Sequence, residues 1–255
     1  MLNIEPDDSI NAVLRIKNFN DEEFLNSHYV VFATKQGIIK KTCLAAYKNV
    51  RAAGVIAINV NEGDEVVGVR LTNGHNELLM ANRNGRAVRF DENAVRTMGR
   101  VSTGVIGMRL DGDDDEVVGL VCVNDPNTET IMVVSENGYG KRSEVEDYRQ
   151  TNRGTKGVKT LAITEKTGRL VAIKVVTDEN DLMIINKSGV LIRLKVADVR
   201  VMGRATQGVR LINLAKKNDV IASVCKVMHS QAEEEDIEEA EIADEAVQTE
   251  PETKD

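Results

Sequence analysis

The chain has 255 residues, enough for one large or two small domains, and carries 33 basic and 41 acidic side chains for a formal net charge of −8. Residues 230–255 hold 12 of the acids and one of the bases, which leaves 32 bases and 29 acids, a net charge of about +3, in residues 1–229. The acidity therefore belongs to a C-terminal segment. No apolar run approaches the roughly 20 residues that span a bilayer, and the acidic N-terminus is unlike a signal peptide.

The cysteines and aromatic residues narrow the class further. Cys43, Cys122 and Cys225 are widely spaced, with no CxxC pair. This pattern is typical of a reducing compartment, so we expect a cytoplasmic protein without disulfides or a zinc site. Aromatic residues make up 3% of the chain and tryptophan is absent, so the core should be aliphatic.

Three predicted elements recur in a fixed order along the chain. The first set is an apolar strand from Ile10, a hairpin over Val30–Lys41 and a basic loop ending in Gly54-Val55. The glycine of a tight hairpin turn supplies a positive φ. The apolar strands begin at residues 10, 66, 117, 170 and 220, the hairpins turn at glycines 37, 85, 138 and 189, and the Gly-Val pairs begin at residues 54, 104, 157 and 208. These spacings define a repeat of about 51 residues.

Each repeat is interpreted as four short strands: one after Gly-Val, one after an acidic turn, and the two hairpin arms. Four-stranded units at this period predict an all-β, propeller-like ring of blades, and helical periodicity is missing from residues 1–229. We place the units near residues 1–54, 55–104, 105–157 and 158–208, with closing strands over 209–229. Because Leu2–Asp8 match the end of a Gly-Val strand and its acidic turn, the chain opens in mid-unit, and we expect a piece of a longer ring.

The C-terminal segment 230–255 is predicted to be disordered, because a dense acidic run cannot bury enough apolar surface to offset its ordering entropy. A short helix over 232–246 is the alternative.

Catalytic and metal-binding motifs are weak. The acidic cluster Asp111–Glu116 resembles the start of a calcium loop but lacks its glycine and its final glutamate, so we interpret it as a turn. Gly99–Gly104 and Gly203–Gly208 have phosphate-loop spacing, but valine follows where Lys-Ser/Thr is required. We therefore expect no catalytic residue, metal or cofactor in this chain.

Basic residues, in contrast, keep the register of the repeat. One base stands four residues after each turn glycine, a second stands early in the following loop, and a third stands close to the Gly-Val pair. The three sets are Lys41, Arg89, Arg142 and Arg193; Lys48, Arg96, Arg149 and Arg200; and Arg51, Arg100, Arg153 and Arg204. Lys40 and Lys141 adjoin the first set. Equivalent positions of stacked blades lie at one level, so these bases predict a basic belt suited to a phosphate backbone. A merely solvated rim is the alternative.

At these loops the sequence resembles the C-terminal domain of the A subunit of bacterial DNA gyrase, a type IIA topoisomerase; the A subunit of topoisomerase IV is the close relative. The resemblance covers residues 1–229 in order, and the acidic tail is similar too. The motifs that carry it are Lys40-Lys41-Thr42, Val95-Arg96-Thr97-Met98-Gly99, Asn137-Gly138-Tyr139-Gly140-Lys141-Arg142, Thr155-Lys156-Gly157-Val158 and Val201-Met202-Gly203-Arg204-Ala205-Thr206-Gln207-Gly208-Val209.

The resemblance implies a six-bladed β-pinwheel whose basic perimeter wraps double-stranded DNA non-specifically. It further implies an A2B2 enzyme that supercoils DNA negatively at the expense of ATP. Catalytic residues would lie outside this chain. The predicted phosphate contacts are Lys40, Lys41, Lys48, Arg51, Arg89, Arg96, Arg100, Lys141, Arg142, Arg149, Arg153, Lys156, Arg193, Arg200 and Arg204.

One feature departs from the family. Its Gln-Arg-Arg-Gly-Gly-Lys-Gly box has no intact copy here; the nearest match is Gln150–Gly157. We therefore expect about four of the six blades.

Two further hypotheses stay open. The acidic tail could compete with DNA for the basic belt at high effective concentration; a solubilising tail is the alternative. A propeller that binds a protein partner is the rival function, and a propeller enzyme with carboxylates or a metal in its channel comes third.

Overall fold

A computed structural model of the chain describes residues 10–16, 19–51, 54–214 and 219–229. The predictions for segment 230–255 fall outside these residues. The described part is almost entirely β-structure. The strands are β1 Tyr29–Thr34, β2 Ile38–Cys43, β3 Val66–Thr72, β4 Glu77–Asn82, β5 Arg86–Asp91, β6 Val105–Ile106, β7 Val117–Val123, β8 Thr130–Ser135, β9 Tyr139–Glu144, β10 Val158–Lys159, β11 Leu170–Val176, β12 Asn180–Asn186, β13 Leu191–Lys195, β14 Val209–Arg210 and β15 Ile221–Met228.

These strands form four antiparallel sheets, the blades of a propeller-like ring. Blade 1 has the order β3-β1-β2-β6, blade 2 β7-β4-β5-β10, and blade 3 β11-β8-β9-β14. Blade 4 has three described strands in the order β15-β12-β13. The inner strands β3, β7, β11 and β15 pack against one another in succession. The predicted repeat and the all-β propeller are confirmed.

A blade nevertheless differs from a sequence repeat. Each of the four hairpins pairs on its inner side with the apolar strand of the next repeat. The first three also pair on their outer side with the Gly-Val strand two repeats on; β2, for example, pairs with β6. One repeat thus contributes strands to three blades. The prediction that the four strands of one repeat form one unit is therefore wrong, and a blade is tied to the two repeats that follow it.

This pairing of strands with the hairpins of earlier repeats, which we call strand exchange, explains why two predicted strands do not form. Residues 10–16 and the stretch after Gly54-Val55 form no strand in the structure. An apolar strand pairs with the hairpin one repeat earlier, and a Gly-Val strand pairs with the hairpin two repeats earlier. Among the described residues no hairpin stands at either of those places, so neither segment has a hairpin edge to join as a strand; Ile10 and Ile56 are both 60% exposed.

Three of the four Gly-Val glycines, those of the pairs whose strands join a blade, are required by close approach between strands. Gly157 has φ +69°, and a Cβ there would stand 2.2 Å from the carbonyl oxygen of Ala87. Gly104 and Gly208 meet the hairpins of earlier blades in the same way. A side chain would therefore push the exchanged strand off the blade that it completes.

The core lies between consecutive blades. Val31, Phe90 and Leu120 belong to the cluster between blades 1 and 2, and Tyr148 to the cluster between blades 2 and 3. A blade that stands between two others has both faces covered. Runs such as Leu79-Met80-Ala81 in blade 2 are therefore buried continuously, and not at every second residue.

The chain also contains helical turns that the sequence analysis missed. The helix α1 spans Glu22–Ser27, and the side chain of Asp21 caps it by accepting a hydrogen bond from the N–H of Phe24 at 3.0 Å. Short 3₁₀ turns follow the hairpins at Leu44–Tyr47, Glu92–Ala94, Val145–Asp147 and Val196–Asp198. None of the described helices is long and apolar enough to cross a membrane.

Candidate nucleic-acid interface

Three of the four bases that stand four residues after the turn glycines are buried. The guanidinium of Arg89 donates to Glu77 Oε2 at 2.7 Å and to the carbonyl oxygens of Val145 and Tyr148 at 2.9 and 3.0 Å. Arg142 repeats this contact one blade later, bonding to the carbonyl oxygen of Val196 at 2.9 Å. Each arginine therefore ties its own blade to the 3₁₀ turn of the next. These two predicted DNA contacts are buried and belong to the blade junctions.

Lys41 occupies the same register at the first junction. Its ammonium lies 2.8 Å from Glu92 Oε2, donates to Asn93 Oδ1 at 3.2 Å, and stands 4.2 Å from the centre of the Tyr29 ring. Glu92 is fully buried and accepts a hydrogen bond from the hydroxyl of Thr72 at 2.7 Å. A buried ion pair thus replaces the arginine–carbonyl contact, and Lys41 too is withdrawn from solvent.

The fourth member of this register is Arg193 in blade 4. It is half-buried, and its Nε donates to Asp181 Oδ2 at 2.7 Å.

Lys40 and Lys141 are fully buried. Lys40 Nζ donates to the carbonyl oxygens of Ala57 and Arg100 at 2.6 and 2.8 Å, and Lys141 Nζ donates to that of Gly203 at 2.6 Å. Burial lowers the pKa of each ammonium to about 8, and the positive charges of Arg100 and Arg204 act in the same direction. Both lysines hold a following loop against a blade and do not face the rim.

Three of the four arginines nearest the Gly-Val pairs, Arg100, Arg153 and Arg204, are half-exposed and hold the rim loops in place. Arg153 donates to the carbonyl oxygens of Ala94 and Ile106, both at 2.9 Å. Arg204 makes the equivalent pair of bonds one blade later, to Asp147 and Lys159 at 2.8 and 2.7 Å. Arg100 donates to Ile56 at 3.2 Å. These side chains still present part of their guanidinium groups to solvent.

The loop arginines Arg96, Arg149 and Arg200 are exposed. Each precedes a residue that bridges to the outer hairpin strand of the previous blade, in the pairs Thr97 with Lys41, Gln150 with Arg89 and Val201 with Arg142. Backbone hydrogen bonds of 2.8, 2.8 and 2.9 Å from Met98, Thr151 and Met202 to those strands fix each loop in the same way. None of the three guanidinium groups bonds to a described residue. The structure therefore sets three exposed arginines at equivalent points of three successive blade junctions.

Three other predicted bases are exposed on the surface. Lys48 forms an ion pair with Glu22 of helix α1, and Lys156 lies 2.6 Å from Asp111 Oδ1. Arg51 is exposed as well. Exposed ion pairs contribute little to stability, so Lys48 and Lys156 can exchange their carboxylate partners for another anion at small cost.

The rim is thus a smaller set than the sequence predicted. We define the rim bases as Lys48, Arg51, Arg96, Arg149, Lys156 and Arg200, which are exposed, with Arg100, Arg153 and Arg204 half-exposed behind them. Lys40, Lys41, Arg89, Lys141 and Arg142 are buried. The sequence did contain a sign that Lys40 and Lys141 are buried: the equivalent residues of the other two hairpins are apolar, Val88 and Ile192.

Sequence reasoning also missed cations near the axis of the ring. Arg70, Lys174 and Lys226 lie on inner strands that are otherwise largely apolar, and they line one cavity. The sequence did show a base at the same point of two apolar strands: Arg70 stands two residues after Gly68, and Lys174 stands two residues after Ala172.

The acidic cluster Asp111–Glu116 forms the predicted turn. The Asp115 carboxylate is buried and accepts hydrogen bonds from the side-chain amide of Asn82 at 2.6 Å and from the N–H of Asn84 at 3.2 Å.

Comparison with known proteins places this geometry in a family. The model of a family described as "DNA gyrase C-terminal domain, beta-propeller" matches residues 28–73, 76–124, 129–177 and 180–225. Each match contains one hairpin and all or part of the inner strand that pairs with it.

Individual proteins agree with the family match. The DNA gyrase A protein of Staphylococcus aureus strain MRSA252 is 40% identical over 247 residues, which are 97% of this chain and 27% of that protein. Its counterpart in strain NCTC 8325 is 42% identical over 91% of this chain and 26% of its own length. The chain therefore spans about a quarter of the length of these curated relatives.

Two solved structures share the fold. The crystal structure of the C-terminal domain of DNA topoisomerase IV superposes with a TM-score of 0.79 at 29% identity, over 88% of this chain and 68% of that one. A DNA gyrase A C-terminal domain gives a TM-score of 0.71 at 26% identity, over 80% and 67%. With four family matches that each contain the hairpin of one blade, the chain belongs to the family of DNA gyrase C-terminal β-propeller domains.

Proposed function

We propose that the rim bases bind double-stranded DNA through its phosphate backbone and bend it around the blades. The observation that carries this proposal is the equivalent placement of Arg96, Arg149 and Arg200 at three successive junctions, exposed and without a described partner. Guanidinium groups at regular intervals along a curved edge suit a repeating phosphate backbone, and nothing in the set favours one base sequence over another.

In the complete enzyme, this surface would hold a bent DNA segment that serves ATP-dependent negative supercoiling. The chain itself would supply DNA binding, while the remainder of gyrase A and its gyrase B partner would supply the catalytic machinery. Membership of the gyrase C-terminal family supports this assignment. Smoothly bending 20–30 base pairs costs about 1–6 kcal/mol, which the release of counterions from the contacted phosphates can offset.

The affinity should depend steeply on salt. If the six exposed rim bases each neutralise one phosphate, log K should fall with log salt at a slope of about −5. A duplex of about 150 base pairs should bind more tightly than one of about 20, since only the longer one can follow several junctions. A propeller that binds a protein partner would show neither dependence.

A triple variant tests which surface is responsible. Arg96→Gln, Arg149→Gln and Arg200→Gln together should reduce the magnitude of the slope by about 3, at about 0.9 for each lost phosphate contact. The matched control is the triple Lys35→Gln, Arg83→Gln and Lys187→Gln, which removes the same charge from the hairpin turns at the other end of the strands. Equal changes in slope for the two triples would reject the rim as the DNA surface.

A further inference from the structure

The four inner strands converge on a cavity of about 490 Å³ at one end of the ring axis. β3, β7, β11 and β15 all contribute to its lining. Its charged side chains are Arg70, Lys174 and Lys226, and two thiols, Cys122 and Cys225, stand between them. Three cations from three blades therefore line the cavity. The equivalent positions of the other inner strands are not all basic.

These cations have no carboxylate partner among the described residues. Arg70 donates to the carbonyl oxygen of Val69 at 2.7 Å, whereas Lys174 and Lys226 make no hydrogen bond or ion pair with the described part of the chain. Burial lowers the pKa of Lys174, and repulsion from Arg70 and Lys226 lowers it further. The nearby Glu129 already accepts a hydrogen bond from the N–H of Asn124 at 2.7 Å. The cavity thus holds positive charge that no carboxylate of the described residues balances.

The opposite end of the axis is charge-balanced. The cavity there is lined by Lys35, Glu65, Arg83 and Glu116. These form the pairs Lys35–Glu65 at 2.5 Å and Arg83–Glu116 at 3.4 Å. Because the fold can balance charge at one end, cations without a carboxylate partner among the described residues at the other end favour the binding of an anionic group there.

The chain's own acidic segment begins beside the cationic end. β15 carries Lys226 and leads to His229, whose N–H donates to the carbonyl oxygen of Glu179 at 2.9 Å. The first acid beyond it is Glu233, four residues on, and four residues reach about 13 Å. Residues 230–255 carry 12 acids and one base, so this segment has both the charge and the reach to enter the cavity.

We infer that the first acids of the C-terminal segment, within Glu233–Glu239, dock in the axial cavity and neutralise Arg70, Lys174 and Lys226. This docking site is separate from the rim and does not depend on DNA binding. It gives the tail a place on the ring axis, away from the rim bases. The partly desolvated setting makes each ion pair stronger than an exposed one.

Alkylation of Cys225 by iodoacetamide, in the full chain, tests the inference. Cys225 is exposed and lines the cavity, whereas burial raises the pKa of Cys122 to about 12 and suppresses its reaction. Glu233→Gln, Glu234→Gln and Glu235→Gln together should accelerate alkylation of Cys225 about tenfold, which corresponds to about 1.4 kcal/mol of docking free energy. Rates are compared per thiolate, from the pH–rate profile of each variant, with Cys43 as internal reference.

Two comparisons make the result decisive. The matched control Glu250→Gln, Glu252→Gln and Asp255→Asn neutralises three distal acids and should leave the rate unchanged, while Lys174→Gln with Lys226→Gln should accelerate alkylation as the proximal triple does. The tail variants leave the blades intact, so the test stands even if the lysine variant does not fold. Equal Cys225 rates in wild type and both tail triples, or equal acceleration by both triples, would overturn the inference.

Discussion

Lys141 offers the sharpest test of the division between buried and rim bases, because its sequence register suggested a phosphate contact. It is fully buried, its ammonium donates to Gly203, and burial lowers its pKa to about 8. Lys141→Met keeps the length of the side chain and removes its charge. Gly203 keeps hydrogen bonds from the N–H and hydroxyl of Thr206 at 3.2 and 3.0 Å, so its carbonyl oxygen is not left unpaired.

The magnitude and its sign follow from proton linkage. In the unfolded chain a lysine holds its proton up to a pH of about 10.4, whereas folded Lys141 releases it at about 8. Between these values the unfolded state binds more protons, so the free energy of unfolding of the wild type rises with pH, by about 1.4 kcal/mol per pH unit and about 3 kcal/mol in total. Below a pH of about 8 both states are protonated and this contribution is flat.

The variant lacks this term. We therefore expect Lys141→Met to be at least as stable as the wild type at pH 7, and to lose about 3 kcal/mol relative to it between pH 8 and 10.5. Urea unfolding of both proteins at pH 7, 8, 9 and 10 measures the difference, with Lys187→Met as the control for removing one exposed charge. A difference that stays constant across this range would refute the burial argument. The slope of log K against log salt for DNA binding should be the same in variant and wild type. A decrease of about 0.9 in its magnitude would mean that Lys141 does contact a phosphate.

Two further predictions concern the blade junctions and are measured by urea unfolding. Gly157→Ala should destabilise the chain by several kcal/mol, because its Cβ would stand 2.2 Å from Ala87 O, whereas Gly189→Ala, with a similar positive φ and no atom within 4 Å, should cost only about 1–2 kcal/mol of backbone strain; equal losses would mean that close packing of the exchanged strand is unimportant. Lys41→Met leaves Glu92 buried without its cation and should cost about 3–5 kcal/mol. Adding Glu92→Gln removes the buried charge and keeps an acceptor oxygen for the hydroxyl of Thr72, so it should restore part of that loss, and no recovery would contradict the isolated-charge explanation.

Much of the fold could be predicted from the sequence because the repeat is local. A turn glycine such as Gly37 or Gly138 marks its hairpin through the positive φ that the turn requires, and φ is 85° and 78° at these positions. Apolar runs of about seven residues mark the inner strands. Helix α1 was missed because six residues are too short for periodicity to register, although Asp21 followed by two acids is a capping signal.

Pairing between strands could not be predicted in the same way. The spacing of about 51 residues places β6 in the third repeat, and only the tertiary structure shows that it completes the first blade. Hydrogen bonding between strands depends on which edges meet in space. The segments at 10–16 and 54–60 have strand-like sequences and join no sheet for that reason.

The sequence by itself determined the repeat, the all-β class and the register of the basic residues, since these depend on local backbone preferences and side-chain order. The tertiary structure decided which of those bases meet solvent. Successive side chains of a strand point to opposite faces, and both faces of an inner blade are covered by its neighbours. Lys141 and Arg142 are therefore both buried, while Arg149, on the loop beyond the blade edge, remains exposed.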